Sequence, residues 1–242
     1  MSVVPGRKRF RTRTALWLVC GGLVLALFIA PIQTNLGRYL SVGGLLGLWI
    51  AGLRLFWRRP RYRWIFLTPL APALIMLFMP RVPSDPDAMR VAYLSALRSY
   101  VGTPYLWGGE SRIGADCSGM LRRAMMDALV SEGLRRNDMS ALRTAVALWW
   151  FDASAFAMSN EHQQRTIFQF EAENLNELHD SRLLPGDMAV VMDGKHILAY
   201  LGDNQWIDAD PVKGKTVIET TPTSTIWFTL NARIVRWRRL IE

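Results

Sequence analysis

The charge of the first 81 residues divides this chain into two parts. These residues include 12 Lys or Arg and no Asp or Glu, whereas residues 82–242 hold the other 17 basic residues and all 20 acidic ones, a net charge of −3. The +9 of the whole chain therefore comes from its N-terminal third. A nucleic-acid-binding domain needs a basic face on a folded domain. Since the C-terminal part is slightly acidic, we predict no nucleic-acid partner.

Three apolar runs follow one another within residues 1–80. Ala15–Ile32 has 18 uncharged residues, which is long enough to cross a bilayer. Tyr39–Trp57 has one charged residue, Arg54, near its end, where the long side chain can reach the interface. Trp64–Met79 has 16 residues and two prolines, and would span about 24 Å of a hydrocarbon core of ~30 Å. The pattern predicts a membrane anchor with about three transmembrane helices.

Basic residues indicate how this anchor is oriented. Five precede the first run, only Arg38 lies between the first two, and five occur from Arg54 to Arg63. By the positive-inside rule, the N-terminus and the second loop face the cytoplasm. Three crossings would then place the C-terminal part outside. A re-entrant third run would instead leave it in the cytoplasm.

A proline-rich stretch joins the anchor to the rest of the chain. We predict a linker over residues 81–87 and a domain over residues 88–242. Either Asp85 or Asp87 is placed to cap a helix over Ala88–Tyr100. The anchor and the domain should therefore fold as separate parts.

Cys117 follows a glycine-rich segment that begins at Gly102, and it precedes a run of helical apolar spacing. Unpaired backbone N–H groups and the positive end of the helix dipole favour a thiolate at this position. A thiolate is a nucleophile, so Cys117 is a candidate catalytic residue.

Two short motifs surround this cysteine. Tyr105–Gly109 reads Tyr-Leu-Trp-Gly-Gly, and Asp116–Gly119 reads Asp-Cys-Ser-Gly. Together they resemble the NlpC/P60 family of papain-like cysteine peptidases, which act on peptidoglycan. The resemblance implies an α+β fold in which the helix bearing the Cys packs on an antiparallel sheet. Alternating patterns predict its strands at Met188–Val191, His196–Leu201, Gln205–Asp208, Thr216–Thr221 and Ala232–Trp237.

A thiolate needs an imidazole beside it, and the imidazole needs a polar group that fixes its tautomer. The resemblance assigns the base to His196, which begins a predicted strand. It assigns the third residue to Asp208, twelve positions later, because even spacing across a hairpin keeps both side chains on one face. Asp210 could take this role if the hairpin register is shifted.

Tyr105, Asp116 and Ser118 match the family positions that bind substrate. Asp116 could alternatively serve only as a helix cap. His162 and His179 show no metal-ligand spacing, so we predict no metal and no cofactor.

More residues separate Cys117 from His196 than is common in the family, and the excess lies near residues 135–180, which we call the insertion. We predict that it forms two helices, Met139–Phe151 and Glu161–Leu178, and it is rich in aromatic residues. The insertion could pack on the domain, act as a lid or dock a partner.

The resemblance implies a thiol protease, a hydrolase of the bacterial cell wall that cleaves peptidoglycan stem peptides, with D-γ-glutamyl to diamino acid as the expected bond. Its expected location is the inner (cytoplasmic) membrane, with the catalytic domain on the periplasmic side. An N-acetylmuramoyl-alanine amidase or an acyl or peptidyl transferase on the same fold stays open. So does a non-catalytic wall-binding protein.

Overall fold

The computed structural model describes residues 5–79 and 82–242. The first residue of the predicted linker, Arg81, and the last of the predicted anchor, Pro80, lie outside these ranges. Contacts divide the chain into two compact units, one that ends at Met79 and one that ends at Glu242. Each unit is described by itself.

The N-terminal unit is helical. Two of its helices are long and apolar enough to cross a membrane by length and composition, over Arg9–Ile29 and Asn35–Phe56. Most of their side chains are exposed, which suits surfaces that face lipid rather than water. The helices are α1 (Pro5–Ile29), α2 (Asn35–Phe56), α3 (Pro60–Leu67) and α4 (Leu70–Phe78).

The third apolar run forms two short helices where a single span was predicted. α3 has 8 residues and α4 has 9. Between them Thr68 (φ −59°, ψ −35°) and Pro69 (φ −65°, ψ −16°) keep right-handed helical angles. Proline removes a backbone N–H and crowds the preceding turn, so it bends a helix without having to end it. α3 and α4 thus form one bent helical stretch.

The C-terminal unit begins with helices and continues as a sheet. Asp85, one of the two predicted caps, accepts a hydrogen bond from the backbone N–H of Ala88 at the start of the first helix. The helices are α5 (Pro86–Arg98), α6 (Cys117–Arg136), α7 (Met139–Trp150) and α8 (Ala155–Ser159). The strands are β1 (Glu110–Ser111), β2 (Gly114–Ala115), β3 (Thr166–Ala172), β4 (Met188–Val191), β5 (His196–Gly202), β6 (Gln205–Asp210), β7 (Lys215–Thr220) and β8 (Ala232–Trp237).

Six strands form one antiparallel sheet in the order β3-β8-β4-β5-β6-β7. Met120 and Leu121 of α6 share a buried core with Ile197 and Ile207 on one face of the sheet. Trp206 and other buried residues form a second core. The predicted fold, a cysteine-bearing helix packed on an antiparallel sheet, is confirmed, and its five predicted strands agree with β4 to β8 to within two residues.

The predicted helix over Glu161–Leu178 is wrong. A short 3-10 helix, His162–Gln164, is followed by the edge strand β3, which pairs with β8 from Thr166 opposite Trp237 onwards. β-Branched and aromatic side chains dominate the start of this strand and favour extended backbone. The other predicted helix of the insertion, Met139–Phe151, is confirmed as α7.

Candidate active site

Cys117 is the first residue of α6, and Asp116 caps that helix. Oδ1 of Asp116 accepts hydrogen bonds from the backbone N–H of Gly119 at 2.6 Å and from the Ser118 hydroxyl at 3.1 Å. Oδ2 accepts one from the backbone N–H of Gly108 at 2.8 Å. Asp116 therefore joins the glycine-rich loop to the helix, and it places Cys117 at the positive end of the helix dipole.

The close approach of loop and helix requires glycine at position 119. A Cβ atom on Gly119 would lie 2.1 Å from the backbone oxygen of Gly109. Only a residue without a side chain lets the two backbones pack at this distance. This packing fixes the first turn of α6 and with it the position of Cys117.

His196 begins β5 and is 1% exposed. Its Nε2 lies 2.7 Å from Oδ1 of Asp208 on β6, and Cys117 lies close enough to the imidazole to influence its pKa. Since Nε2 faces the carboxylate, Nδ1 is the ring nitrogen left for the sulfur. Asp210, the alternative partner, accepts a hydrogen bond from the backbone N–H of Val212 instead. The structure thus brings the sulfur, the imidazole and the Asp208 carboxylate together.

This environment raises the pKa of His196 to about 10. Burial favours the neutral ring, but hydrogen bonds and charges from Asp208 and Cys117 outweigh it. Burial also raises the pKa of Asp208, as do Asp210 and Glu219, while His196 opposes this. The 2.7 Å contact favours an imidazolium beside a carboxylate, so the raised pKa of His196 is the dominant effect.

We expect the folding stability to fall as the pH rises from 6.5, the ordinary pKa of histidine, towards about 10. In this window the folded protein holds a proton on His196 that the unfolded chain has released, so the stabilisation is complete below pH 6.5 and is lost through pH 10. One group contributes at most about 1.4 kcal/mol per pH unit. Thermal unfolding of the full chain in detergent from about pH 6 to 9 measures this slope. The variant His196→Gln should flatten it, and equal slopes in both proteins would contradict the prediction.

Two further acidic side chains lie beside Asp208. Carboxylate oxygens of Asp208, Asp210 and Glu219 lie within 4.8 Å of one another. Nζ of Lys213 is 2.8 Å from Oε2 of Glu219 and 3.9 Å from Oδ2 of Asp210. This ammonium group balances part of the negative charge. The expectation that the site needs no metal stays a prediction.

Trp227 is a residue of this site that sequence reasoning missed. It lies in the 3-10 helix Ile226–Thr229, and its ring stacks on the imidazole of His196 with centroids 4.2 Å apart and planes inclined by 24°. The indole covers one face of the imidazole, and an aromatic face also stabilises a nearby cation. The contact joins distant segments of the chain, so the local sequence carried no signal for it.

A cleft of about 560 Å³ opens beside Cys117. The predicted substrate-binding residues Tyr105, Asp116 and Ser118 all line it. Burial raises the pKa of Tyr105 to about 12, with further contributions from Cys117, Asp116 and Asp208. Its hydroxyl group therefore stays protonated at neutral pH and can donate a hydrogen bond.

The insertion forms part of the cleft wall. Asp152, Ser154 and Ala155, which follow α7, line the cleft. Asp152 forms an ion pair with Arg122 of α6, which also donates a hydrogen bond to Glu110 at 2.5 Å. Arg122 is 2% exposed. The pairing of this buried arginine with the exposed Asp152 ties the insertion to the helix that bears Cys117, a contribution to the site that the sequence did not predict.

Several solved structures resemble the chain at low identity. The peptidoglycan hydrolase RipB from Mycobacterium tuberculosis is 18% identical, with 67% of this chain and 70% of that chain covered and a TM-score of 0.39. An NlpC/P60 family protein from Bacillus cereus is 16% identical, with 64% of this chain and 41% of that chain covered and a TM-score of 0.40. RipD from M. tuberculosis, described as a non-catalytic NlpC/P60 domain protein, is 15% identical, with 61% and 96% covered and a TM-score of 0.39.

No curated protein matches the chain. A family model, however, matches residues 102–236. This segment covers more than half of the 242 residues, and it includes the cysteine helix, the cleft loop and all but the last residue of the sheet. On the strength of this match, the protein belongs to the NlpC/P60 family.

Proposed function

We propose that the protein is a membrane-tethered cell-wall hydrolase that cleaves amide bonds in peptidoglycan stem peptides, between D-γ-glutamate and a diamino acid. The observation that carries this proposal is the line of contacts from Cys117 through His196 to Asp208 beside an open cleft. Family membership supplies the substrate class. The geometry supports acyl transfer to a sulfur nucleophile as the reaction type.

The proposed reaction starts from a Cys117 thiolate beside the imidazolium that the raised pKa of His196 favours. The thiolate attacks the carbonyl carbon of the scissile amide, and backbone N–H groups at the start of α6 stabilise the resulting oxyanion. The imidazolium then protonates the leaving amine, and a thioester remains on the enzyme. Water, deprotonated by His196, hydrolyses this thioester. Asp208 holds the Nε2–H throughout and stabilises the imidazolium.

Substrate recognition is proposed for Tyr105, Asp116 and Ser118. Oδ1 of Asp116 already accepts two hydrogen bonds from the protein and Oδ2 accepts one, which leaves a further lone pair on Oδ2. An ammonium group of the peptide could bind there, next to the hydroxyl group of Tyr105. Asp116 would then serve as helix cap and as substrate ligand at once.

Digestion of defined stem peptides by the full chain in detergent, followed by mass spectrometry, tests this function. Cleavage after D-γ-glutamate is expected. Release of an intact stem peptide from a muramoyl substrate would indicate an amidase, and joined peptides would indicate a transferase. Unchanged peptides and an unreactive Cys117 would support the non-catalytic alternative instead.

Replacing Trp227 should impair positioning of the imidazole rather than the chemistry itself. We expect Trp227→Ala to lower kcat about tenfold, since loss of an aromatic stack costs about 0.5–1.5 kcal/mol beyond its buried area. The alkaline limit of activity should also move to lower pH, because the uncovered imidazolium is less stabilised. Trp227→Phe should restore most of the kcat and most of the alkaline limit of activity. A pH–rate profile identical to that of the unaltered protein in Trp227→Ala would rule this role out.

Three membrane crossings are proposed for the anchor. The apolar part of the bent helical stretch formed by α3 and α4 covers residues 64–78, which gives at most about 23 Å at 1.5 Å per residue, so this stretch would cross by locally thinning the ~30 Å hydrocarbon core. Arg61 and Arg63 lie at its start, on the side that the positive-inside rule places in the cytoplasm. This arrangement puts the catalytic domain on the extracytoplasmic side, where peptidoglycan lies.

Cysteine labelling in spheroplasts checks this topology. In a chain with both native cysteines replaced, Val212→Cys introduces a thiol at a position that is 81% exposed. We expect a membrane-impermeant maleimide to label it before lysis. The thiol of a second variant, Arg58→Cys, lies between α2 and α3 and should be labelled only after lysis. Protection of both positions would show that the anchor crosses the membrane an even number of times.

A further inference from the structure

One buried carboxylate beside the catalytic residues has no part in the proposed reaction. Glu219 lies on β7 and is 9% exposed. The strand register pairs Trp206 with Glu219 and Asp208 with Val217, so the side chains of Asp208 and Glu219 lie on the same face of the sheet. Carboxylate oxygens of these two residues lie within 4.8 Å of each other. Glu219 is therefore a neighbour of the residue that holds the imidazole.

Oε2 of Glu219 accepts two hydrogen bonds from residues 223–229, which we call the Trp227 segment. The hydroxyl group of Thr225 donates at 2.6 Å and that of Thr223 at 3.1 Å. Nζ of Lys213 lies 2.8 Å from the same oxygen and donates to the hydroxyl oxygen of Thr225 at 3.3 Å. The other carboxylate oxygen, Oε1, is buried and has no hydrogen-bond partner among the described residues. A single oxygen of Glu219 thus connects β7 to the Trp227 segment.

Two anchors on either side of Trp227 hold the segment on the sheet. Phe228 is fully buried in the second core, and its backbone N–H donates a hydrogen bond to the backbone oxygen of Thr225 at 3.0 Å. The side chain of Thr225 is held by Glu219. Trp227 lies between Thr225 and Phe228, and its ring stacks on the imidazole of His196 with centroids 4.2 Å apart. The position of the indole over the imidazole therefore depends on both anchors.

We propose that Glu219 is a positioning residue of the active site: its carboxylate holds the hydroxyl groups of the Trp227 segment and thereby keeps the indole over the imidazole of His196. Hydrogen bonds to an ionised carboxylate are stronger than those between neutral groups. The ammonium group of Lys213 offsets part of this charge, so the carboxylate orients the hydroxyl groups without adding its full charge beside Asp208. The role in catalysis rests on the proposed hydrolase function, whereas the placement of the indole does not.

Nuclear magnetic resonance of the full chain in detergent, labelled at its 3 histidines, tests the proposal. The stacked indole shifts the resonances of the His196 ring protons upfield, and Trp227→Ala gives the reference without this shift. Thr225→Val removes the hydroxyl group but keeps the shape of the side chain, and we expect it to lose most of the upfield shift, as should Glu219→Ala. Glu219→Gln should retain the shift, because its oxygen still accepts both bonds. In stem-peptide cleavage, Thr225→Val should lower kcat about threefold to tenfold, the effect of one hydrogen bond.

The matched control is Thr220→Val, which removes an exposed hydroxyl group next to Glu219 and should change neither the shift nor kcat. If Thr225→Val and Glu219→Ala both keep the full upfield shift, or if Thr220→Val loses it equally, the proposal is overturned. Should Glu219→Ala melt at a lower temperature, Thr225→Val alone carries the comparison. The shift is measured without substrate, so its loss in a chain that cleaves no stem peptide would support the positioning role and refute only the hydrolase function.

Discussion

Replacing Cys117 with alanine should reduce amide hydrolysis at least about 10⁴-fold, because it removes the proposed nucleophile that forms the covalent intermediate. The side chain is small and 7% exposed, so the fold should survive its truncation. The change removes only the sulfur that His196 contacts. Mass spectrometry of stem-peptide digests measures the loss, and the unfolding temperature shows that the variant is folded.

The chain offers a matched control in its other cysteine. Cys20 lies in α1 and is exposed, so Cys20→Ala should leave turnover unchanged. Iodoacetamide at neutral pH should modify Cys117 faster than an ordinary thiol, as expected for a cysteine paired with an imidazolium. Full turnover by Cys117→Ala, or loss of turnover in Cys20→Ala alone, would refute the nucleophile assignment.

The second large effect is expected at Asp208. Asp208→Asn should lower activity at neutral pH by about 10²- to 10⁴-fold, since the carboxylate that orients the imidazole and stabilises its charge is lost. The pKa of His196 should fall with it, because the contact at 2.7 Å is one of the causes that raise this pKa. The alkaline limb of the pH–rate profile should therefore move to lower pH.

Asp210 provides the comparison that separates the two candidates for this role. Its Oδ1 accepts a hydrogen bond from the backbone N–H of Val212 at 2.7 Å. Asp210→Asn should therefore change activity less than about fivefold, which is the scale of a single neutral hydrogen bond. A greater loss in Asp210→Asn than in Asp208→Asn would transfer the orienting role to Asp210.

The site elements that sequence could predict are those carried by short motifs. Asp116 and Cys117 stand together where loop becomes helix, and the structure places them there. His196 and Asp208 are twelve residues apart across one hairpin, so local spacing was enough to bring them onto one face. In each case a local feature of the sequence, either a helix cap or the alternation of side chains along a strand, determines where the side chain lies.

The parts that sequence could not predict depend on distant pairing. Ile167 and Phe170 have a spacing that suits a helix, but pairing with β8 makes this segment a strand, and a register shift between Phe168 and Phe170 hides its alternation. Trp227 meets His196, and Asp152 meets Arg122, only because the tertiary fold brings them together. Propensity is a weak guide where such contacts decide the structure.

The way the insertion is built limits how it can move. α7 packs on α6, and β3 is hydrogen-bonded along β8 as far as Ala172 opposite Ala232. A hinged swing of the whole segment would break that ladder and open the core. The stretch over residues 151–165, part of which lines the cleft, is held as well, since Ala153, Ala155 and Met158 are buried and Asp152 pairs with Arg122. A proteolytic nick within this stretch should therefore leave both fragments attached, and the cleft wall should keep its shape when a substrate enters.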